Sequence, residues 1–162
     1  MRSDAPGVSL ACTLTFPEGE GAHPGLLLLT GSGPQDRDET AFGHKPFFVM
    51  SDYLTRRGLS VLRCDDRGVG GSNGRFLGAT TTDFSLDAEG AFRYLAKRSE
   101  ISRAGILGHS EGANIAAMVA SRRRDAAFVV MMAGTGVTGE QVGYSQAAAI
   151  HRASGWPETP SR

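Results

Sequence analysis

Residues 104–120 read AGILGHSEGANIAAMVA, a sequence that predicts a strand, a sharp turn and a helix in immediate succession. The turn holds a G-x-S-x-G motif, Gly108-His109-Ser110-Glu111-Gly112. A turn of this kind lifts a serine hydroxyl above the edge of a sheet. The helix that follows directs free N–H groups at an oxyanion formed there. Ser110 is therefore a candidate nucleophile.

The motif by itself is a weak signal, because residues 70–74 (GGSNG) match it as well. Those residues are flanked by loop-forming sequence, whereas an apolar run precedes Ser110 and an apolar helix follows it. The alternative is a glycine-rich turn in which Ser110 caps the helix. The flanking segments favour the nucleophile. Glycine is expected at positions 108 and 112 because the turn brings backbone segments too close together for a Cβ.

Apolar segments and turn-forming segments alternate along the rest of the chain. Strands are predicted at 8–16, 25–30, 59–64, 101–107 and 126–133, and helices at 46–57, 83–98, 113–120 and 140–152. This order predicts one α/β domain over residues 1–162, with a mostly parallel sheet of about five strands and helices on both faces. The strand 126–133 is apolar without alternation, as in a sheet interior, yet no further strand is predicted to pair with its outer edge.

Charge and composition exclude several classes of protein. The 162 residues include 17 Lys+Arg and 17 Asp+Glu without a single-sign block, which argues against a nucleic-acid or basic membrane-surface partner. No apolar run approaches the ~20 residues that span a bilayer, and no signal-peptide pattern is present. We expect a soluble, cytoplasmic protein. Cys12 and Cys64 form no C-x-x-C motif and are predicted to be reduced.

Metal and nucleotide sites are not expected either. The four histidines (His23, His44, His109 and His151) show no metal-ligand spacing. Residues 134–139 read GTGVTG, a G-x-G-x-x-G pattern, but they follow the last predicted strand. A dinucleotide site needs this turn in the first βα unit and an acidic residue on a following strand. The sequence therefore predicts no metal and no cofactor.

Three segments together resemble the α/β-hydrolases, and more narrowly their esterase and serine-aminopeptidase-like branch. They are residues 28–38 (LLTGSGPQDRD), residues 65–72 (D-x-R-G-x-G-x-S) and residues 107–112 (LGHSEG), in the family's order and spacing. The resemblance extends from about Val8 to the end of the chain. It implies a partial α/β-hydrolase fold and the hydrolysis of a small ester, thioester or peptide-like substrate through an acyl-enzyme.

The resemblance also implies roles for individual residues. Ser110 would be the nucleophile, and the backbone N–H groups of Ser32 and Glu111 would form the oxyanion hole, with Gly33 as the alternative donor. Asp65 and Arg67 would tie down the glycine-rich loop as scaffolding. The charged residues Asp36, Arg37 and Asp38 would brace the oxyanion loop, and solvated surface charge is the alternative for them.

The triad acid and histidine of the resembled family follow the serine, on loops after later strands. The one histidine after Ser110 is His151, and a Ser110–His151–Glu140 triad is weaker than the alternative that His151 and Glu140 are surface residues. We therefore expect a truncated hydrolase that holds the nucleophile and lacks the acid and the base. The rival hypothesis is a non-catalytic module stabilised by a partner, or by a homodimer through the exposed strand 126–133.

Overall fold

One five-stranded sheet organises the computed structural model of the protein, which describes residues 1–155. The strands are β1 (Cys12–Thr15), β2 (His23–Leu29), β3 (Ser60–Cys64), β4 (Ile101–His109) and β5 (Ala126–Met132). Their order across the sheet is β1-β3-β2-β4-β5. The pair β1–β3 is antiparallel, and the pairs β3–β2, β2–β4 and β4–β5 are parallel. The predicted class, α/β with a mostly parallel sheet of five strands, is confirmed.

The four helices lie where the sequence predicts them. They are α1 (Pro46–Thr55), α2 (Thr81–Ala96), α3 (Glu111–Arg122) and α4 (Gly139–Ala153). Helix α2 begins two residues earlier than predicted because Thr80 and Asp83 form a capping box in front of it. Within residues 1–155, no helix has the length and apolarity needed to cross a membrane.

The first strand is shorter than the predicted 8–16. Ser9 forms an isolated bridge with Arg2, and the Leu10 backbone N–H donates to the Met1 carbonyl. Residues 8–10 therefore pair with the N-terminal turn instead of extending β1. This pairing depends on a turn that alternation of apolar residues does not reveal.

The core lies on both faces of the sheet, because successive side chains of a strand point to opposite faces. Leu26 and Leu28 of β2 pack beneath α1, whereas Leu27 packs beneath α2 and α3. The apolar run of β2 is thus buried on both faces, and the predicted placement of helices on both faces is confirmed. At the border of the sheet, β5 is largely exposed, and no residue of α4 is buried.

The prediction of reduced cysteines is wrong. Cys12 and Cys64 form a disulfide across the β1–β3 pair, where they occupy directly opposite positions in the antiparallel register. The two cysteines are 52 residues apart in sequence. Strand register, which sequence spacing does not reveal, brings them together.

Candidate active site

Ser110 lies in the turn between β4 and α3 with an unusual backbone conformation. Its φ is 54° and its ψ is −117°, although residues with a Cβ rarely adopt a positive φ. Ser110 occupies the N-cap position of α3, yet its side chain makes no capping hydrogen bond. The helix-cap alternative is therefore not supported, and the hydroxyl is not used by the helix that follows. The Ser110 backbone N–H donates to the Met132 carbonyl at 2.9 Å, which fixes the turn against the end of β5.

The glycines on either side of Ser110 are required by close backbone approach, as predicted. A Cβ built at Gly112 would overlap the carbonyl oxygens of Leu29 and Thr30 at the end of β2. A Cβ at Gly108 would lie 2.5 Å from the backbone nitrogen of Ala113 and would overlap the Gly112 carbonyl. The turn is therefore held by backbone packing against β2 and α3.

The second G-x-S-x-G match has a structural role. Its serine, Ser72, lies in the loop after β3, accepts a hydrogen bond from the Ala11 backbone N–H and donates one to the Asp65 carbonyl. The Ala11 contact holds the loop against the segment that precedes β1, and the Asp65 contact closes the loop on itself. The contrast with Ser110 agrees with the sequence interpretation of the two motifs.

The loop after β2 carries one of the two predicted oxyanion donors, the backbone N–H group of Ser32. Because β2 and β4 are parallel and Leu29 pairs with Gly108, the loop beginning at Gly31 and the Ser110 turn emerge at the same edge of the sheet. In the part of the chain that the structure describes, the backbone N–H groups of Ser32 and Glu111 donate to no protein acceptor. They are thus available to a ligand.

Asp65 braces this loop from the end of β3. Its carboxylate accepts hydrogen bonds from the Arg37 side chain at 2.7 and 2.9 Å and from the backbone N–H groups of Arg37 and Gly71, both at 2.9 Å. Burial raises the pKa of Asp65, but these hydrogen bonds outweigh it and lower the pKa to about 2. The scaffolding interpretation of Asp65 and the bracing interpretation of Arg37 are supported.

Neighbouring charges complete the scaffold. The Asp36 carboxylate accepts hydrogen bonds from the backbone N–H groups of Asp38 and Thr40, both at 3.0 Å. The Asp38 carboxylate pairs with the buried Arg63 guanidinium. The Arg67 Nε donates to Asp87 of α2 at 2.6 Å. These side chains therefore anchor the loops that follow β2 and β3.

Asp66 is a second anchor of the loop after β2, and its side chain has an unusual acidity. Its carboxylate accepts a hydrogen bond from the Thr30 hydroxyl at 3.2 Å and another from the Gln35 backbone N–H at 2.9 Å. The pKa of Asp66 is raised to about 7, mainly by burial and to a smaller extent by the nearby charges of Asp87 and Glu111, which together outweigh the lowering effect of the two hydrogen bonds. Asp66 also lines a small cavity between the ends of β2 and β3 and helices α2 and α3.

Glu39 and His109 form a contact that the sequence analysis missed. Glu39 is 6% exposed, and its Oε1 lies 2.7 Å from the Gly31 backbone nitrogen and 2.7 Å from His109 Nδ1. His109 is the residue before Ser110 in the G-x-S-x-G motif. That position was the available signal, but His109 was considered only as a metal ligand.

The structure does not bring His151 and Glu140 together. Glu140 lies in the first turn of α4 and His151 in the last turn of the same helix. Residues separated by 11 positions on an α-helix are about 16 Å apart along its axis. Glu140 cannot orient His151, so the alternative triad is wrong. Among residues 1–155, no group of three His, Cys, Asp or Glu side chains is arranged to hold a metal ion.

Residues 47–157 match the family model described as serine aminopeptidase, S33. Esterase EstD of Thermotoga maritima is 35% identical over 120 residues, which cover 74% of this chain and 29% of that protein. The chain thus spans less than a third of the length of this curated relative.

Solved structures show the same fold. Est1E from Butyrivibrio proteoclasticus, in a structure with ferulic acid bound, superposes with a TM-score of 0.65 at 23% identity, over 77% of this chain and 48% of that one. An alpha-beta serine hydrolase homologue from Coxiella burnetii superposes with a TM-score of 0.63 at 22% identity. The superposition covers 78% of this chain and 58% of that one. Acetyl xylan esterase 1 from Thermoanaerobacterium superposes with a TM-score of 0.66 at 18% identity. The superposition covers 91% of this chain and 53% of that one.

Proposed function

The chain belongs to the serine aminopeptidase, S33, family and has a partial α/β-hydrolase fold, and on that premise we propose that Ser110 is the nucleophile of an acyl-transfer reaction. The observation that carries the proposal is the backbone of Ser110, which has a positive φ while its side chain caps nothing. Strain of this kind is found where a side chain must be presented in one orientation.

The proposed chemistry is hydrolysis of a carboxylic ester, thioester or peptide bond. Ser110 Oγ attacks the carbonyl carbon, and a general base, a role that we assign to none of residues 1–155, receives the hydroxyl proton and passes it to the leaving group. The backbone N–H groups of Ser32 and Glu111 donate to the oxyanion of the tetrahedral intermediate. Water then hydrolyses the acyl-enzyme. The N-terminus of α3 adds its positive dipole end at the same point.

A small carboxylic ester is the proposed substrate class. EstD is an esterase, Est1E binds ferulic acid in its solved structure, and the third similar protein is an acetyl xylan esterase. An ester alkoxide is also an easier leaving group than an amide nitrogen. These similarities support esters over peptides as the first substrates to assay.

Labelling with a fluorophosphonate probe tests the role of Ser110. We expect one phosphonyl adduct on the folded chain, located at Ser110 by peptide mass spectrometry, because the unbonded N–H groups of Ser32 and Glu111 can stabilise the phosphonyl oxygen. The adduct should disappear in Ser110→Ala. It should persist in Ser72→Ala, the matched control from the other G-x-S-x-G motif. A folded wild-type chain that forms no adduct at Ser110, even after an incubation long enough to compensate for a missing base, would refute the proposal.

A second candidate function is a non-catalytic module that dimerises through β5. Strand β5 is the border strand, and within residues 1–155 no strand pairs with its outer edge. It contains no charged residue, and four of its large apolar side chains are exposed: Phe128, Val130, Met131 and Met132. An uncharged, apolar strand edge can pair with its own copy across a two-fold axis.

Light scattering after size-exclusion chromatography distinguishes this candidate. We expect a dimer at micromolar concentration, because pairing two β5 strands satisfies their free backbone groups and covers apolar surface. Val130→Lys should convert the dimer to a monomer, whereas Val49→Lys on the exposed face of α1 should not. A monodisperse wild-type monomer, or polydisperse aggregate, would argue against dimerisation.

A cytoplasmic location stays a prediction, as do the absence of nucleic-acid and membrane partners. The Cys12–Cys64 disulfide is an argument against a cytoplasmic location. Disulfides persist in oxidising compartments and are rare where thioredoxin and glutathione keep thiols reduced.

A further inference from the structure

Glu39 is a buried carboxylate in an unusual backbone position. It is 6% exposed, and its φ of 53° is rare for a residue with a side chain. The flanking residues hold this conformation: the Glu39 backbone N–H donates to the Asp36 carbonyl at 3.0 Å, and Asp38 pairs with Arg63. This backbone conformation directs the Glu39 carboxylate into the protein.

One oxygen of this carboxylate contacts two separate parts of the proposed site. Glu39 Oε1 lies 2.7 Å from the backbone nitrogen of Gly31, which opens the oxyanion loop. The same oxygen lies 2.7 Å from Nδ1 of His109, the last residue of β4. Gly31 directly precedes Ser32, and His109 directly precedes Ser110. The carboxylate thus joins the segment that carries one oxyanion donor to the segment that carries the nucleophile and the other donor.

The packing around Gly31 shows how closely these groups converge. A Cβ built on Gly31 would lie 3.3 Å from Glu39 Oε1, 3.3 Å from His109 Nδ1 and 3.4 Å from Ser110 Cβ. These distances are tighter than most Cβ contacts in proteins. The Gly31 backbone is therefore enclosed by the side chains on which the orientation of the loop depends.

The chemistry of the contact defines the state of both partners. A carboxylate only accepts hydrogen bonds, so an ionised Glu39 requires the His109 tautomer in which an Nδ1–H group donates the hydrogen bond. Hydrogen bonds to a charged acceptor are stronger than neutral ones, and a buried carboxylate without them would be costly. Fixing the Gly31 N–H also fixes the peptide plane next to the one that carries the Ser32 N–H. An oxyanion hole depends on donors that are oriented before the reaction begins.

We propose that Glu39 is a positioning residue of the oxyanion hole, which couples the oxyanion loop to the Ser110 turn through the Gly31 N–H and His109 Nδ1. This inference rests on the proposed function, because it assigns Glu39 to the same site. Glu39 acts through Gly31 and His109 and does not itself contact the reacting atoms.

The first test is the second-order rate constant for fluorophosphonate labelling of Ser110 in the full chain. Glu39→Ala should lower this rate about 10- to 100-fold, the usual range for groups that orient a reactive site. Glu39→Gln should restore most of the rate, because its amide oxygen still accepts the Gly31 N–H. Glu20→Ala, which removes an exposed carboxylate from the turn between β1 and β2, is the control and should label at the wild-type rate.

A second measurement tests the contact without requiring any reaction. In NMR spectra the Gly31 amide proton should move upfield in Glu39→Ala and exchange faster with solvent, because it loses a charged acceptor. A general loss of stability would not single out this one amide. Should Glu39→Ala fail to fold, His109→Phe removes the other contact and should slow labelling while the Gly31 amide stays protected.

The outcomes separate the two proposals. If the wild-type chain gives no adduct at Ser110, the proposed function fails. The chemical shift and exchange rate of the Gly31 amide proton in Glu39→Ala then still show whether Glu39 holds the loop. If the wild-type chain reacts and Glu39→Ala reacts equally fast with an unchanged Gly31 resonance, Glu39 has no positioning role and the inference is overturned.

Discussion

The Gly108→Ala variant is expected to lose about 5 kcal/mol or more of its free energy of unfolding, which approaches the whole stability of a typical domain. The added methyl group would overlap the Gly112 carbonyl and approach the Ala113 nitrogen to 2.5 Å. These are backbone atoms of α3, and α3 is itself packed through Gly112 against the end of β2. No side-chain rotation can relieve the overlap, so the turn must open.

Urea unfolding followed by circular dichroism measures this effect, with Gly105→Ala as a matched control from the same strand. A Cβ at Gly105 would lie 2.5 Å from a ring atom of Phe128. That ring is on the border strand and is 37% exposed, so it can turn away, and a cost of about 1–3 kcal/mol is expected. Equal losses in the two variants would contradict the backbone explanation.

Asp66→Asn should stabilise the chain above pH 7 by up to about 4 kcal/mol and leave its stability near pH 4 almost unchanged. Asp66 ionises with a pKa of about 7 in the folded state, against 3.8 as its ordinary value. Between these values the folded chain holds a proton that the unfolded chain has lost. Wild-type stability therefore falls as the pH rises from about 4 to about 7. Asparagine cannot ionise, so this loss disappears.

Asp65 provides the control, because its pKa is lowered on folding whereas the pKa of Asp66 is raised. The pKa of Asp65 is about 2 when folded, against an ordinary value of 3.8, so its stabilising contribution is present above pH 3.8 and is lost as the pH falls towards 2. Asp65→Asn should therefore destabilise most at neutral pH and least in acid. Urea midpoints across pH 3 to 9 measure both variants. Parallel pH profiles for wild type and Asp66→Asn would contradict the assignment.

Local patterns in the sequence predicted the elements of this fold. The apolar run before Ser110 and the apolar helix after it identify one turn out of two that share the motif, and the structure gives Ser110 the conformation expected there. The steric need for Gly108 and Gly112 was also predictable, because it follows from the geometry of a tight strand-to-helix turn. Both features depend on residues close together in the chain.

The features that were missed depend on residues far apart in the chain. Glu39 and His109 are 70 positions apart, and they meet because β2 and β4 are neighbours that end at the same edge of the sheet. Cys12 and Cys64 meet through the register of an antiparallel pair. The raised pKa of Asp66 depends on burial and on the charges of Asp87 in α2 and Glu111 in α3. Periodicity and motif spacing do not contain this information.

The Cys12–Cys64 bond closes a covalent ring through residues 12–64, which contains the loop after β2, Glu39 and α1, while Ser110 lies outside it. Residues 40–46 within this ring are exposed, so a protease has access to them. A single cut there would leave the two pieces linked. The fragment bearing Glu39 would separate from the fragment bearing Ser110 only after cleavage and reduction together, under denaturing conditions.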